Sequence, residues 1–219
     1  MAAYPLAEAA RYVRLPPATL RSWVAGRAYP TREGTSRFPA LIHPGDSKRK
    51  LLSFNNLIEA HVLRALRTEH GVSIKAVREA VRYAERELGI GRLLLSNELC
   101  THAGELFLDR YGQSVHLSRS GQLAMRRLFE AHLKRVEWDA SDFPRRLYPF
   151  VRGEAEDAPR LIVIDPTLAF GRPILESKGI STSTIAARLD AGESVADLVD
   201  DYGIEPKEVE EAVLYERAA

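Results

Sequence analysis

Arg14-Leu15-Pro16-Pro17-Ala18-Thr19-Leu20-Arg21-Ser22-Trp23-Val24-Ala25-Gly26 sets the architecture of the amino-terminal third of this chain. Arg14-Leu15 is a short turn, and Pro16-Pro17 opens a helix because the fixed φ and missing N–H of proline suit a first helical turn. Gly26 closes that helix, since glycine readily adopts the left-handed conformation of a helix end. Upstream, Leu6, Ala9, Ala10 and Val13 recur at helical spacing. Two short helices joined by a tight turn predict a helix-turn-helix. Leu20, Trp23 and Val24 are expected to face the core, with Thr19, Arg21 and Ser22 turned outward.

Downstream, residues 27–52 predict a long loop or hairpin, with Pro30, Gly34, Pro39 and Pro44-Gly45 as turn formers. Ser53 is placed to cap a helix through Leu57, Ile58, Val62, Leu63 and Leu66, and Ser73 to cap another through Ile74, Val77, Val81, Ala84 and Leu88. The second helix of such a motif can enter the DNA major groove, and basic side chains on a projecting wing suit phosphates. The candidate DNA-binding residues are therefore Thr19, Arg21, Ser22, Arg27, Arg37, Lys48, Arg49 and Lys50.

The overall charge gives no hint of this. The chain has 219 residues, 31 Lys+Arg against 30 Asp+Glu, and a formal net charge of +1. Divided along its length, residues 1–90 hold 15 basic and 8 acidic residues (+7), residues 91–153 hold 10 and 7 (+3), and residues 154–219 hold 6 and 15 (−9). A basic head and an acidic tail predict modules that face different partners. A composition with 45% hydrophobic and 28% charged residues excludes a disordered or fibrous chain. The absence of an apolar run of roughly 18 residues argues against a membrane span and points to a cytoplasmic protein. Cys100, the single cysteine, excludes an internal disulfide framework or a multi-cysteine zinc site and reads as a buried small hydrophobe in a strand.

Helical periodicity pauses at Gly89-Ile90-Gly91. The runs at 92–95, 106–108 and 114–117, separated by Asn97, Gly104 and Gly112, predict a small antiparallel meander. An amphipathic helix follows, with Leu123, Leu128, Phe129, Leu133 and Val136 on one face and Arg126, Arg127, Lys134 and Arg135 on the others. This middle region is the expected homodimer interface, because two-fold operators are gripped by two copies. His102, His116 and His132 lack a metal-ligand spacing, and Asp139 and Asp142 suit caps or turns. No catalytic residue, metal site or cofactor is assigned.

Residues 152–159 read as a linker. Beyond it, Arg160–Ile164 and Gly171–Leu175 predict two short strands, followed by three helices. Ser181 or Thr182 caps the first (Ile185, Ala186, Leu189), Ser194 the second (Val195, Leu198, Val199), and Pro206 opens the third (Val209, Ala212, Val213). The last two resemble a helix-turn-helix by spacing. The third helix, however, carries Glu205, Glu208, Glu210, Glu211 and Glu216 against Lys207 and Arg217, a balance that phosphates repel. An acidic module of this kind suits a protein partner.

Leu6–Ala10, Pro17–Trp23, the wing, Ser53–Leu57 and Gly71–Val77 together resemble the DNA-binding domain of MerR-type regulators over roughly residues 4–88. The resemblance implies that Thr19, Arg21 and Lys50 contact DNA. Leu52 and Asn56 stand where that family has an aromatic and an acidic residue. The tail, through Ile164-Asp165-Pro166, Gly171-Arg172-Pro173-Ile174, Gly192-Glu193-Ser194, Tyr202-Gly203-Ile204 and Tyr215, resembles VapB-like antitoxins encoded beside PIN-like ribonuclease toxins. Ser177-Lys178-Gly179 replaces the Gly-Thr-Arg of that family. A MerR-like head before such a tail is similar to longer mycobacterial antitoxins of the VapB type.

The fold expected is mainly α with small β elements (α+β). It comprises a winged helix-turn-helix over 1–90, a β-meander plus helix over 91–153, and a β-hairpin with three helices over 154–219. The resemblances imply a non-enzymatic type II antitoxin that binds a PIN-like toxin, with Arg172, Lys178, Glu205, Glu208, Glu211 and Tyr215 as toxin-binding candidates, and that represses its own operon through operator DNA. The Mg²⁺ or Mn²⁺ chemistry of such a pair belongs to the toxin. The alternative is a MerR-like one-component regulator sensing a small molecule. Such a regulator usually needs a long dimerising helix, which Gly89-Ile90-Gly91 interrupts. An enzyme such as a nuclease would need a carboxylate cluster or nucleophile–base pair that does not stand out.

Overall fold

The computed structural model describes residues 3–31, 34–44, 51–65, 74–100, 102–114, 116, 118–152 and 157–217. These residues are mainly α-helical, with four small two-stranded antiparallel sheets. In the head, β1 (Ala3–Tyr4) precedes α1 (Leu6–Tyr12) and α2 (Pro17–Ala25). Arg14 turns the chain between these helices at φ 53°, and Gly26 ends α2 at φ 72°. A side chain at Gly26 would collide with the carbonyl oxygen of Phe38, so this glycine serves both the turn and the close approach of the next strand. The wing is a hairpin of β2 (Arg27–Thr31) and β3 (Gly34–Phe38), with Arg27 opposite Phe38 and Thr31 opposite Gly34.

β4 (Leu52–Ser53) pairs with β1 and runs into α3 (Phe54–Ala65). Ser53 caps α3 as expected. Its Oγ accepts from the Asn56 N–H at 3.3 Å, while Asn56 Oδ1 accepts from the Ser53 N–H at 3.0 Å. Asn56 thus does what an acidic residue does at this position in a capping box. The helix α4 (Ile74–Leu88) ends at Gly89, which has φ 67°. Leu66, Ser73, Arg32 and residues 45–50 lie outside the described residues.

The expected meander over 92–117 is corrected. Two 3₁₀ turns (Leu93–Leu95 and Asn97–Cys100) lead into a helix, α5 (His102–Ser114). Phe107, Leu108 and Tyr111 are buried at i, i+1 and i+4, a helical stripe that the run Leu106-Phe107-Leu108 disguised as a strand. Gly104 is needed because a Cβ there would strike the Leu99 carbonyl. The amphipathic helix is α6 (Arg119–Leu133), whose buried stripe runs through Met125, Phe129, His132 and Leu133. Leu123, expected in the core, is 51% exposed. The small sheet of the middle region comes afterwards, as β5 (Val136–Trp138) and β6 (Pro144–Leu147), turned by Asp139 and by Asp142 at φ 59°.

In the tail, β7 (Ile162–Val163) pairs with β8 (Ile174–Leu175), and α7 (Thr182–Asp190), α8 (Val195–Tyr202) and α9 (Pro206–Arg217) follow. Ser194 and Asp197 form a reciprocal capping box at α8, and Gly203 ends that helix at φ 59°. Val195, expected to be buried, is exposed. Leu147 and Ile164 exchange backbone hydrogen bonds of 3.0 and 2.8 Å, so the tail strand continues the middle hairpin.

One contiguous core joins Leu20, Trp23, Leu57, Ile58 and Leu63 of the head to Phe107, Tyr111 and Phe129 of the middle and Ile164 of the tail. A second core holds Val151, Ile162, Leu175, Ile185, Leu198, Val209, Ala212 and Tyr215. Arg135, read from the sequence as a surface decoration, is 1% exposed and stitches these parts together. Its guanidinium donates to the carbonyls of Tyr148 (2.7 Å), Pro149 (3.0 Å), Ala158 (2.6 Å) and Pro159 (2.8 Å), and lies over the Phe150 ring.

Candidate nucleic-acid and partner surfaces

Leu20 and Trp23 anchor α2, and the Trp23 carbonyl at its end accepts from the N–H groups of Leu41 (2.7 Å) and Ile42 (3.1 Å). This anchoring fixes which side of α2 faces out. Arg21 is exposed and Ser22 half-buried, with the Ser22 hydroxyl donating to the Thr19 carbonyl at 2.8 Å. Thr19 does not face outward. It is 5% exposed because Thr19, Leu20 and Trp23 form one buried i, i+1, i+4 stripe.

The wing is held rigid by Tyr29 stacked on Phe38, with ring centroids 4.2 Å apart, and it displays Arg27 and Arg37 to solvent. Arg37 also donates to the Ala25 carbonyl at 2.5 Å, where its charge complements the negative end of the α2 dipole. Exposed cations thus lie on α2 and on the hairpin that leaves it, suited to a phosphate backbone. Lys48, Arg49 and Lys50 lie outside the described residues.

On the tail the expected cluster separates into two groups. Arg172, Lys178 and Glu205 are exposed. Glu208, Glu211 and Tyr215 are buried, because each is used inside the chain. Glu208 accepts from the Glu205 N–H at 2.8 Å, closing the start of α9, and from the Ser177 hydroxyl. Glu211 accepts from Arg152 Nε at 2.8 Å, and the Tyr215 hydroxyl donates to the Tyr12 carbonyl. The exposed acidic face is made instead by Asp197, Asp200, Asp201, Glu205 and Glu210. Arg188 braces it by pairing with Glu193 and Asp201 and lying over the Tyr202 ring.

Sequence reasoning overlooked the turn between the tail strands. Asp165 is buried and accepts from the Thr167 N–H (2.8 Å), the Thr167 hydroxyl (2.5 Å) and Arg146 Nε (2.9 Å). Burial alone would raise its pKa, but the Thr167 and Arg146 hydrogen bonds outweigh that and hold the carboxyl below its usual range. The chain pinned there turns through Ala169 (φ 45°) and Phe170 (φ 58°), both in the left-handed region. Phe170 is 91% exposed and Leu168 is 45% exposed. A bulky aromatic residue held in that backbone region at full exposure makes this turn a candidate functional site. The available signal was an aromatic residue in a loop otherwise punctuated by Pro166, Gly171 and Pro173.

Among the described residues no group of three or more His, Cys, Asp or Glu side chains is placed to hold a metal ion. No helix among them is long and apolar enough to cross a membrane. The Cys100 side chain lies outside the described residues.

A family described as a protein of unknown function (DUF433) matches residues 162–215. Over nearly its whole length the chain is similar to a Mycobacterium tuberculosis protein named "Putative antitoxin VapB45", with 28% identity over 227 residues, 96% of this chain and 92% of that protein. It is also similar to the uncharacterized protein Rv2308 of the same organism, with 26% identity over 97% of this chain and 89% of that one. The crystal structure of Rv2018 from Mycobacterium tuberculosis shares the fold, with a TM-score of 0.66 at 24% identity and 96% of both chains covered.

Proposed function

We propose that this chain is the antitoxin of a type II toxin–antitoxin pair, which binds a PIN-type ribonuclease toxin through its tail and its own operator through its head. The observation that carries this reading is the similarity, from end to end, to a relative that bears an antitoxin name. The distribution of charge supports it: +7 over residues 1–90 and −9 over residues 154–219. So does the Leu168–Arg172 turn, which offers an exposed aromatic anchor beside an exposed guanidinium.

In this reading the chain performs no chemistry. Phe170 fills an apolar pocket on the toxin, and aromatic anchors of this kind dominate interface energetics. Arg172 pairs with a toxin carboxylate, and the bound tail keeps RNA away from the toxin's acidic centre. On the head, Arg21 reaches base edges while Arg27 and Arg37 contact phosphates. The middle region supplies the homodimer contact through exposed Leu123 and Phe143. Co-expression with the product of the adjacent open reading frame is expected to give a stable complex that lacks ribonuclease activity. Recovery of both proteins apart, with the nuclease still active, would overturn the assignment.

A further inference from the structure

A cleft of about 430 Å³ opens between the wing exit and α4, lined by Arg78, Arg82, Arg92, Glu59, Glu85 and Leu94 among others. Two of its charges are internally satisfied. Arg92 donates twice to Glu59 Oε1 (3.2 and 3.0 Å), and Glu59 Oε2 accepts from Asn56 at 2.9 Å. Glu85 accepts from the Leu93 N–H at 3.0 Å, which partly satisfies that carboxylate.

The remaining cations have no ion pair among the described residues. Arg78 is 5% exposed, donates one Nη2 bond to the Pro39 carbonyl and lies over the Phe38 ring. Its Nε and Nη1 have no hydrogen-bond partner, and no ion pair to a carboxylate compensates its charge among the described residues. Arg82, one helical turn further along α4, is exposed and likewise has no ion pair among the described residues. A buried guanidinium with two idle donors, next to a second uncompensated guanidinium, is costly unless an anion completes it.

We propose that this cleft binds a small phosphate-bearing ligand, with Arg78 and Arg82 as its anion clamp and the satisfied Arg92–Glu59 pair as the fixed wall. Guanidinium groups match the oxygens of phosphate in geometry as well as charge, and the volume lies in the range of small-ligand sites. A duplex backbone is an unsuitable source of that phosphate, because its contacts are made by exposed side chains while Arg78 is almost wholly covered. The site is independent of the antitoxin assignment.

The test uses the full chain and inorganic phosphate as the probe, with chloride at matched ionic strength as the reference. Thermal unfolding is expected to rise saturably in phosphate, and calorimetric titration to give one site per chain. Arg82→Gln is exposed and spares the fold, and it is expected to weaken phosphate binding at least tenfold. Arg78→Lys is expected to do the same. Arg86→Gln, on the same helix but outside the cleft, is expected to leave binding unchanged. Equal unfolding temperatures in the two salts, unaltered phosphate binding by Arg82→Gln, or an equal loss in Arg86→Gln would each overturn the site. So would stabilisation by a short DNA duplex when free phosphate has no effect.

Discussion

Tyr215, in the last turn of α9, donates its buried hydroxyl at 3.0 Å to the carbonyl of Tyr12, 203 residues earlier at the end of α1. Helix-end carbonyls have no partner within their own helix, so the tail supplies one that the head lacks. Beside it Arg11 pairs with Glu216, and Arg14 donates to the Val151 carbonyl. The basic and acidic ends of the chain are therefore packed on one another.

Tyr215→Phe keeps the ring but leaves the Tyr12 carbonyl unpaired in the interior. The expected cost is about 1–2 kcal/mol of stability, read as a lower urea midpoint at unchanged slope. A midpoint equal to that of the parent would show that water or another donor replaces the hydroxyl. If toxin and DNA sites communicate through this contact, the variant also changes the factor by which toxin alters operator affinity.

The buried pair His61 and His132 sets a lower pH limit. His61 Nε2 donates to the His132 carbonyl at 3.0 Å, His132 Nδ1 donates to the Leu128 carbonyl at 2.9 Å, and both rings lie against Phe150. Burial, reinforced by nearby Arg64 and Arg135, lowers the pKa of both rings, that of His132 to about 3. Below the unfolded value near 6.5 the unfolded chain takes up protons that the folded chain refuses. Stability is therefore full above about pH 7 and falls as the pH drops through the unfolded value, each ring's slope approaching about 1.4 kcal/mol per pH unit well below 6.5, and for His132 persisting to about pH 3. Chemical unfolding at pH 7.5 and 5.5 should reveal this slope, and His132→Asn should roughly halve it. A flat profile between those values would contradict neutral, buried rings.

If the head binds operator DNA as proposed, Arg21→Ala is expected to cost about 1–3 kcal/mol in that binding and to relax specificity at one base pair. Arg27→Ala should weaken all sequences alike and reduce the salt slope by about 1. Thr19→Ala, which trims a buried side chain, is expected to change stability while leaving base preference intact. Electrophoretic mobility shifts over a salt series distinguish these behaviours. An unaltered affinity in both arginine variants would remove α2 and the wing from the interface.

The contrast between Thr19 and Arg135 shows where the sequence was legible. The helix ends were plain to read because Pro17, Gly26, Ser53, Ser194 and Pro206 act locally, through φ preferences and capping bonds that depend on a few neighbours. Orientation and long-range partners were not legible. Arg135 reads as a solvated cation until the carbonyls of residues 148–159 are brought around it, and Glu211 and Tyr215 read as surface until Arg152 and Tyr12 arrive. The strand-like run at 106–108 misled for a related reason. Its apolar neighbours are satisfied by helix packing, and three consecutive apolar residues carry no period of their own. Phe170 was missed because exposure at a turn leaves no mark in hydrophobic patterning.

Phe170 offers the sharpest test of the partner surface, because structure and binding make opposite demands there. Glycine tolerates the left-handed backbone that Phe170 adopts at φ 58°, and at 91% exposure the ring contributes little packing within the chain. Phe170→Gly is therefore expected to leave the isolated protein as stable as the parent, or up to about 1 kcal/mol more stable. If the ring is the toxin anchor, the same variant loses about 2 kcal/mol or more of binding, roughly a thirtyfold weaker complex. Thermal unfolding of the free chain and calorimetric titration with the toxin measure the two quantities separately. A variant that binds the toxin as tightly as the parent would move the interface away from this turn, and one that loses stability and binding together would make Phe170 a structural residue.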